Sequence, residues 1–251
     1  TRMSPALTSA RPPAAASFQQ LMAQGASQCE YRICRPDGSV RWHMTSAVPH
    51  REPDGTVLLH GFTMDITDRK QAEQEIKRLA FYDALTGLPN RRHFLGQAAE
   101  EMARARRYGR PITVGIADLD HFKQVNDRFG HAVGDQVLQR FAAVVQETLR
   151  ETDRVGRFGG EEFAFIFPET TPDEALRLAG RLRQRLGASP LVLPDDSILA
   201  VTVSFGLADA TGRGLEESLA RADAALYQAK GGGRDCSVLA AESASDISPQ
   251  P

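Results

Sequence analysis

Two acidic clusters in this sequence each follow a stretch that predicts a β-strand. The apolar run 112–117 stops at Asp118, with Asp120 two residues later, so a buried strand would carry carboxylates to the rim of a sheet. Glu161 and Glu162 follow a Gly-Gly pair, which indicates a tight hairpin that a ligand can approach closely. Converging carboxylates repel one another unless a hard cation lies between them, and Mg²⁺ bound by carboxylates and phosphates is the usual solution. The pattern predicts a magnesium-dependent site for a nucleoside triphosphate.

The segment 118–135 adds groups that suit the rest of such a nucleotide. Phe122 and Lys123 fall at a predicted helix N-terminus, where free N–H groups favour anions. Asn126 and Asp135 are spaced so that an amide and a carboxylate could meet one planar base, and a carboxylate suits the N1 and N2 donors of guanine. Taken singly, these features are also compatible with turns, caps and solvated surface residues. Their co-occurrence favours a site.

The elements that would position these residues alternate between helical and extended periodicity. Strands are predicted at 112–119, 154–158, 162–167 and 198–207, and helices at 94–108, 122–129, 135–149, 172–186 and 215–230. The order β-α-β-β-α-β predicts an α+β, ferredoxin-like catalytic domain over residues 83–239, with an antiparallel sheet and helices on one face.

The residues before this domain predict a smaller unit and a connecting helix. Two Pro-Asp-Gly turns divide the residues up to 65 into a three-stranded antiparallel meander. Asp68, with Gln71 three residues later, predicts a helix start, and Ala72, Ile76 and Leu79 then form a narrow apolar stripe that suits a paired stalk over residues 68–82. Residues 1–17 and 240–251 have the composition of disordered ends.

Composition excludes several classes of protein. With 41% hydrophobic and 25% charged residues, no run approaches a membrane helix, so we expect no membrane contact from this chain. A net charge of −2 gives no basic excess for a nucleic-acid polymer. Three cysteines without a disulfide framework favour the cytoplasm. From the start at Thr1 we expect a piece of a longer protein, and a membrane anchor upstream of this piece is an open alternative.

Four motifs together resemble one known family. Residues 83–91 (DALTGLPNR), 118–135, 159–163 (GGEEF) and 230–234 (KGGGR) are similar, in this order, to the GGDEF-domain diguanylate cyclases. Residues 30–69 resemble the C-terminal half of a PAS sensor domain, and the partial PAS-like unit is assigned to residues 18–67. The first resemblance implies a palm-type fold and an enzyme that condenses two GTP molecules into cyclic di-GMP and two pyrophosphates.

The resemblance also implies a role for each matching residue. Asp118, Glu161 and the Leu119 carbonyl would bind two Mg²⁺ ions, with Mn²⁺ as an alternative metal. Glu162 belongs to the catalytic loop, while the identity of the general base stays open. GTP would be bound by the residues that match the family's base and phosphate contacts, namely Phe122, Lys123, Asn126, Asp135, Lys230 and Arg234.

Two further expectations follow from the resemblance. Each domain would hold one GTP, so catalysis needs a homodimer that the stalk can set in place. Arg150 and Asp153 match an RxxD inhibitory site for cyclic di-GMP, and Arg181 matches a further product-binding arginine. The alternatives are a GGDEF domain that binds GTP or cyclic di-GMP as a receptor without catalysis, and another nucleotidyl cyclase or polymerase palm. The first would show replacements at Asp118, Glu161, Lys230 or Arg234, and none of these residues is replaced. Asn126 with Asp135, the RxxD motif and the lack of a basic channel argue against the second.

Overall fold

The computed structural model describes residues 27–241, which divide into two units between Arg78 and Leu79. The ends predicted to be disordered, 1–17 and 240–251, lie outside the described residues except for Ala240 and Ala241. Ala240 donates its N–H to the Leu207 carbonyl at 2.7 Å, so ordered pairing continues one residue beyond the predicted domain end at 239.

The first unit contains the predicted antiparallel meander. Its strands are β1 (Ser27–Cys34), β2 (Val40–Arg51) and β3 (Val57–Asp65), paired in the order β1-β2-β3. Each turn is closed by an aspartate: Asp37 accepts from the Ser39 N–H at 2.8 Å and Asp54 from the Thr56 N–H at 2.8 Å. The glycine that follows each aspartate supplies the positive φ that the turn requires. The two Pro-Asp-Gly signals therefore predicted this sheet correctly.

Helix α1 (Thr67–Phe81) follows the meander. The prediction that Asp68 caps this helix is wrong, because the helix starts one residue earlier. Asp65 takes the capping role instead, since its carboxylate accepts from the N–H and the hydroxyl of Thr67 at 2.9 and 2.6 Å. The apolar stripe on α1 is exposed, with Ile76 and Leu79 presenting 66% and 57% of their surface.

The second unit is built on a five-stranded sheet, whose strands lie in the order β10 (Ser237–Leu239), β9 (Val203–Asp209), β4 (Ile112–Leu119), β6 (Glu162–Pro168) and β5 (Arg154–Gly159). The central strand β4 pairs antiparallel with β6 and with β9. Strand β5 pairs antiparallel with β6, while the edge strand β10 runs parallel to β9. The predicted α+β fold with a mainly antiparallel sheet is confirmed.

Helices cover both faces of this sheet, and the expectation of helices on one face is wrong. The helices are α2 (Arg91–Tyr108), α3 (Phe122–Phe129), α4 (His131–Thr148), α5 (Pro172–Gly187) and α6 (Leu215–Gly231). Phe163 and its neighbours pack with α4 and α5 on one face, whereas Ile116 packs with α2 and α6 on the other. All eight residues of β4 are buried, as expected for a strand that is covered on both sides.

The predicted strand 198–207 is divided in the structure. Ile198–Leu199 forms β8, which pairs only with β7 (Leu191–Val192) among the described strands, and β9 begins at Val203. Between them, the Thr202 carbonyl accepts from the Asp120 N–H at 2.9 Å, so this segment bonds to the end of β4.

Over residues 27–241, no helix has both the length and the apolar character needed to cross a bilayer.

Candidate active site

The end of β4 and the β5–β6 hairpin bring the two predicted acidic clusters together. Asp118 lies directly opposite Glu162 in the β4–β6 register, and residues in this relation share one face of a sheet. The Leu119 N–H donates to the Glu161 carbonyl at 3.4 Å, which joins the turn itself to β4. Asp118 is buried, Glu161 is half-buried and Glu162 is exposed. The site is therefore a carboxylate rim that opens to solvent on the hairpin side.

Neighbouring groups shift the pKa of the Asp118 carboxyl in opposite directions. Burial raises the pKa of the Asp118 carboxyl above its usual value, the Lys230 ammonium opposes that rise, and the charges of Glu161 and Glu162 add to it. Lys230 Nζ lies 2.9 Å from Asp118 Oδ2. The buried carboxylate thus has a cationic partner as well as two acidic neighbours.

This donor set fits a hard divalent cation that also binds phosphate. Across the described part of the chain, no three His, Cys, Asp or Glu side chains form a ready-made metal cage. Mg²⁺, however, is usually bound in proteins by one or two carboxylates together with substrate phosphates and water. Asp118 and Glu161, beside the Leu119 carbonyl, match that smaller requirement. The repulsion at Asp118 is what a cation would relieve.

Arg157, on β5, holds the hairpin in place through hydrogen bonds. This role was not predicted from the sequence. The Arg157 guanidinium donates to the Gly160 carbonyl through Nε at 3.0 Å and Nη2 at 2.8 Å, and through Nη1 to both Asp83 oxygens at 3.0 and 3.1 Å. Asp83 also accepts from the N–H and hydroxyl of Thr86 at 2.9 and 2.6 Å. Burial alone would raise the pKa of Asp83, but these hydrogen bonds from Thr86 and Arg157 outweigh burial and lower it. The motif at 83–91 thus anchors the hairpin from a distance.

Of the residues predicted to read guanine, Asn126 lies against Gly134, the residue before Asp135, where α3 approaches α4. A Cβ added at Gly134 would come within 2.0 Å of Asn126 Oδ1, so only glycine permits this approach. Asp135 follows immediately and is exposed, whereas Asn126 is half-buried. Because α4 begins at His131 rather than at the predicted residue 135, Asp135 lies inside the helix. Gly134 lies just before the predicted helix start, so no local pattern indicated this contact.

The predicted phosphate ligands lie at two helix ends. Phe122 and Lys123 are the first residues of α3, where backbone N–H groups lack partners within the helix. The Phe122 side chain is buried, and Lys123 is exposed. Lys230 lies in the last turn of α6, and Arg234 follows that helix with its side chain exposed.

The residues of the predicted inhibitory site are also neighbours. Asp153 is buried and accepts from the Arg150 N–H at 3.0 Å, so it closes its own loop. Burial raises the pKa of Asp153, while that hydrogen bond and the positive charges of Arg150, Arg154 and Arg181 oppose the rise. Arg150 and Arg181 are exposed. Arg150 also lines a cavity of about 220 Å³ together with residues of α2.

Comparisons with known proteins agree with this arrangement. The family described as "Diguanylate cyclase, GGDEF domain" matches residues 80–236, and the PAS fold matches residues 8–63. The response regulator PleD of Caulobacter vibrioides is 42% identical over 163 residues, which cover 64% of this chain and 36% of that protein. The chain therefore spans only part of this curated relative.

Two solved structures are similar in fold to this chain. The coiled coil and GGDEF domain of DgcB from Caulobacter crescentus, in complex with c-di-GMP, has a TM-score of 0.65 at 32% identity and covers 70% of this chain and 93% of that one. The active GGEEF domain of a diguanylate cyclase from Vibrio cholerae has a TM-score of 0.57 at 31% identity, covering 61% and 98%. Residues 159–163 of this chain are also GGEEF. With the family match over most of the second unit, the chain belongs to the GGDEF family of diguanylate cyclases.

Proposed function

We propose that this chain condenses two GTP molecules into cyclic di-GMP with release of two pyrophosphates. The observation that carries the proposal is the carboxylate rim, where Asp118 lies opposite Glu162 in the strand register and the Leu119 N–H bonds to Glu161. The family description and the similar GGEEF domain of a diguanylate cyclase from Vibrio cholerae support the same reaction. The chain spans only part of PleD, so the activity of a whole protein is not carried over from it.

The guanine base is assigned to Asn126 and Asp135. The approach of Asn126 to Gly134 brings it next to the residue that precedes Asp135, so an amide and a carboxylate are available along one contact between α3 and α4. A carboxylate accepts from the N1 and N2 donors of guanine and offers adenine no matching pair at that edge. This pair therefore favours GTP over ATP.

The triphosphate is assigned to the helix ends and to the carboxylate rim. Phe122 and Lys123 offer backbone N–H groups at the α3 N-terminus, and Lys230 and Arg234 add positive charge from the end of α6 and the loop after it. Members of this family use divalent metal ions. Two Mg²⁺ or Mn²⁺ ions held by Asp118, Glu161 and the Leu119 carbonyl would neutralise the triphosphate and lower the pKa of the attacking 3′-hydroxyl.

Catalysis by this arrangement requires two copies of the chain. Each second unit carries one GGEEF hairpin, and two 3′,5′ bonds must form between two nucleotides, so two hairpins have to face each other. The exposed Ile76 and Leu79 on α1 are spaced for pairing with a second helix. We assign this stalk to homodimer formation and to the transmission of a signal from a PAS-type sensor.

Product inhibition is assigned to Arg150, Asp153 and Arg181. Arginine can bind a phosphate with two parallel N–H bonds, and Asp153 can accept from a guanine edge. In Arg150→Ala, the cyclic di-GMP concentration that halves the initial rate should rise about tenfold or more, because a charge-assisted contact is lost. Each variant is compared with its own uninhibited rate. An unchanged half-inhibition concentration would show that the RxxD residues do not bind the inhibitory product.

The reaction itself is tested by incubating the chain with GTP and Mg²⁺ and separating the products by chromatography. Cyclic di-GMP and pyrophosphate are expected, and the rate per chain should rise with chain concentration because the active form is a dimer. Glu161→Gln and Asp118→Asn should yield no product, since each removes a charged metal ligand. A folded, unmutated chain that binds GTP and releases no cyclic di-GMP would show a receptor rather than an enzyme.

A further inference from the structure

Asp120, two residues beyond Asp118, is not among the residues assigned to metal or nucleotide. Its side chain is 4% exposed, and its carboxylate accepts three hydrogen bonds. The donors are the Thr202 hydroxyl at 2.7 Å, the Ser204 hydroxyl at 2.7 Å and the backbone N–H of Asp235 at 3.0 Å. The third bond is notable because Asp235 belongs to the loop that follows α6 and comes directly after Arg234. Asp120 therefore links the metal-binding strand to the phosphate-binding loop.

Asp235 is also held from the opposite side by α5. Arg183 donates to Asp235 Oδ1 through Nε at 3.0 Å and through Nη2 at 2.9 Å, and Nη2 also contacts the Asp235 backbone carbonyl. We call Asp120, Asp235 and Arg183 the loop clamp. The clamp fixes the residue next to Arg234 by both its N–H and its side chain.

The backbone at the clamp adopts a conformation that requires such support. Gly233, Arg234 and Asp235 have consecutive positive φ values of 115°, 64° and 41°. For residues other than glycine this region is strained, and it persists where surrounding contacts determine it. The Arg234 N–H also donates to the Ala229 carbonyl at 3.1 Å, which ties the loop to the last turn of α6. Without the clamp, the loop would relax to a more extended backbone and Arg234 would move.

We propose that Asp120 is a positioning residue, which sets the place of Arg234 relative to Asp118 by holding the Asp235 N–H. The inference rests on the proposed nucleotide function and assigns Asp120 no contact with substrate. It explains why the two aspartates in 118–120 differ in their surroundings. Asp118 lies near the Lys230 ammonium and the carboxylates of the hairpin. Asp120 instead accepts hydrogen bonds from β9, from the residue before β9 and from the loop after α6.

The competing role for Asp120 is stability alone, since a buried carboxylate with three donors also stabilises the fold. The two roles differ in which part of the nucleotide loses affinity. Loss of a phosphate loop weakens the binding of a triphosphate and leaves guanosine unaffected, whereas general destabilisation affects both. Asp120→Asn provides a conservative rescue, because its amide oxygen can still accept from Asp235 while the amide N–H₂ donates to the Ser204 hydroxyl.

The experiment measures equilibrium binding of a non-hydrolysable GTP analogue and of guanosine by calorimetry, with Mg²⁺ present. Asp120→Ala should weaken binding of the analogue about tenfold or more, with guanosine changed less than about twofold. Asp120→Asn should remain within about threefold of the unmutated chain for both. Ser204→Ala is the matched control, because it removes one donor to Asp120 and leaves the bond to Asp235.

A double-mutant cycle tests whether Asp120 acts through Arg234. In an Arg234→Ala background, Asp120→Ala should weaken analogue binding by less than about threefold. Full additivity, equal losses for guanosine and analogue, or unchanged analogue affinity in folded Asp120→Ala would each overturn the inference. If Asp120→Ala does not fold, Arg183→Ala releases the clamp from the solvent side and should weaken the analogue about threefold or more, with guanosine unchanged.

Hydrogen exchange separates this inference from the proposed reaction, because it needs neither nucleotide nor activity. Amides of residues 231–236 should exchange faster in Asp120→Ala than in the unmutated chain, and Ser204→Ala should not accelerate them. Equal exchange in Asp120→Ala and the unmutated chain would refute the clamp even if cyclic di-GMP is formed. Conversely, a chain that forms no product but shows the expected exchange and binding changes would refute the reaction and retain the clamp.

Discussion

Replacement of Arg157 should remove the connection between the catalytic hairpin and the turn that begins at Asp83. The guanidinium donates to the Gly160 carbonyl and to the Asp83 carboxylate at the same time. Arg157→Lys keeps the charge but loses the planar fork, so one ammonium cannot maintain both sets of bonds in the same geometry. Arg157→Ala removes them all.

The cost can be estimated from the burial of the pair. The side chains of Arg157 and Asp83 are 14% and 24% exposed. Breaking a fully buried ion pair costs about 3–5 kcal/mol. Because Asp83 keeps its bonds from Thr86 and is partly hydrated, we expect a loss of about 2–3 kcal/mol in the free energy of unfolding for Arg157→Ala. A displacement of about 1 Å in the hairpin would lower the rate of product formation about a hundredfold.

The assay combines urea unfolding with the initial rate of cyclic di-GMP formation, under conditions where the variant is fully folded. Arg154→Ala is the matched control on the same strand. Arg154 Nη2 lies 3.1 Å from Glu101 Oε1, so its loss also breaks an ion pair to a buried carboxylate but leaves the hairpin contacts in place. The control should lose stability and keep its initial rate within about threefold of the unmutated chain.

Either of two results would refute this reasoning. A folded Arg157→Ala chain with an unchanged initial rate would show that the hairpin holds its geometry without the guanidinium. Equal rate losses in Arg157→Ala and Arg154→Ala would show that the effect follows from general destabilisation. An intermediate rate in Arg157→Lys would support the importance of the forked geometry.

Two further predictions concern the same unit. Gly134→Ala should weaken GTP binding about tenfold or more, because the added Cβ would lie 2.0 Å from Asn126 Oδ1 and displace the amide. Calorimetry measures this affinity, and an unchanged value would argue against the assignment of Asn126 to guanine. Asp83→Asn should lower the free energy of unfolding by about 1–2 kcal/mol near neutral pH. Since the folded pKa of Asp83 is lowered, this stabilisation is present above the unfolded value of about 3.9 and disappears as the pH falls through the folded value. Urea titrations of both chains across that pH range should converge in acid, and a constant difference would contradict the ion-pair explanation.

The sequence predicted those parts of the fold whose signals are local. The apolar run before Asp118 gave the bounds of β4 correctly, and the Asp-Gly turns gave the meander. The division of the predicted strand 198–207 was missed, because it depends on Asp120, which lies 82 residues away from Thr202 along the chain. The Asp120 N–H donates to the Thr202 carbonyl, and the Asp120 carboxylate accepts from the Thr202 hydroxyl. The second helical layer was missed although the continuous apolar run in β4 indicates burial on both faces.

The candidate site shows the same division. Asp118 and Glu161 could be named because each follows a strand or hairpin signal in its own segment. Arg157 and Asp120 could not be assigned roles, because Arg157 meets Asp83 across 74 residues and Asp120 meets Asp235 across 115. An arginine in a strand and an aspartate in a loop carry no local pattern that identifies such partners. Side chains that position a site through distant contacts require the fold to be known.

The central claim is that the carboxylate rim makes cyclic di-GMP from GTP, and the most direct test is a product assay on matched chains. The unmutated chain and Glu161→Gln are incubated with GTP and Mg²⁺, and binding of a non-hydrolysable GTP analogue to each is measured alongside. The account predicts cyclic di-GMP from the unmutated chain and none from Glu161→Gln. Product formation by Glu161→Gln at the unmutated rate, or its absence from a folded, GTP-binding unmutated chain, would contradict the claim.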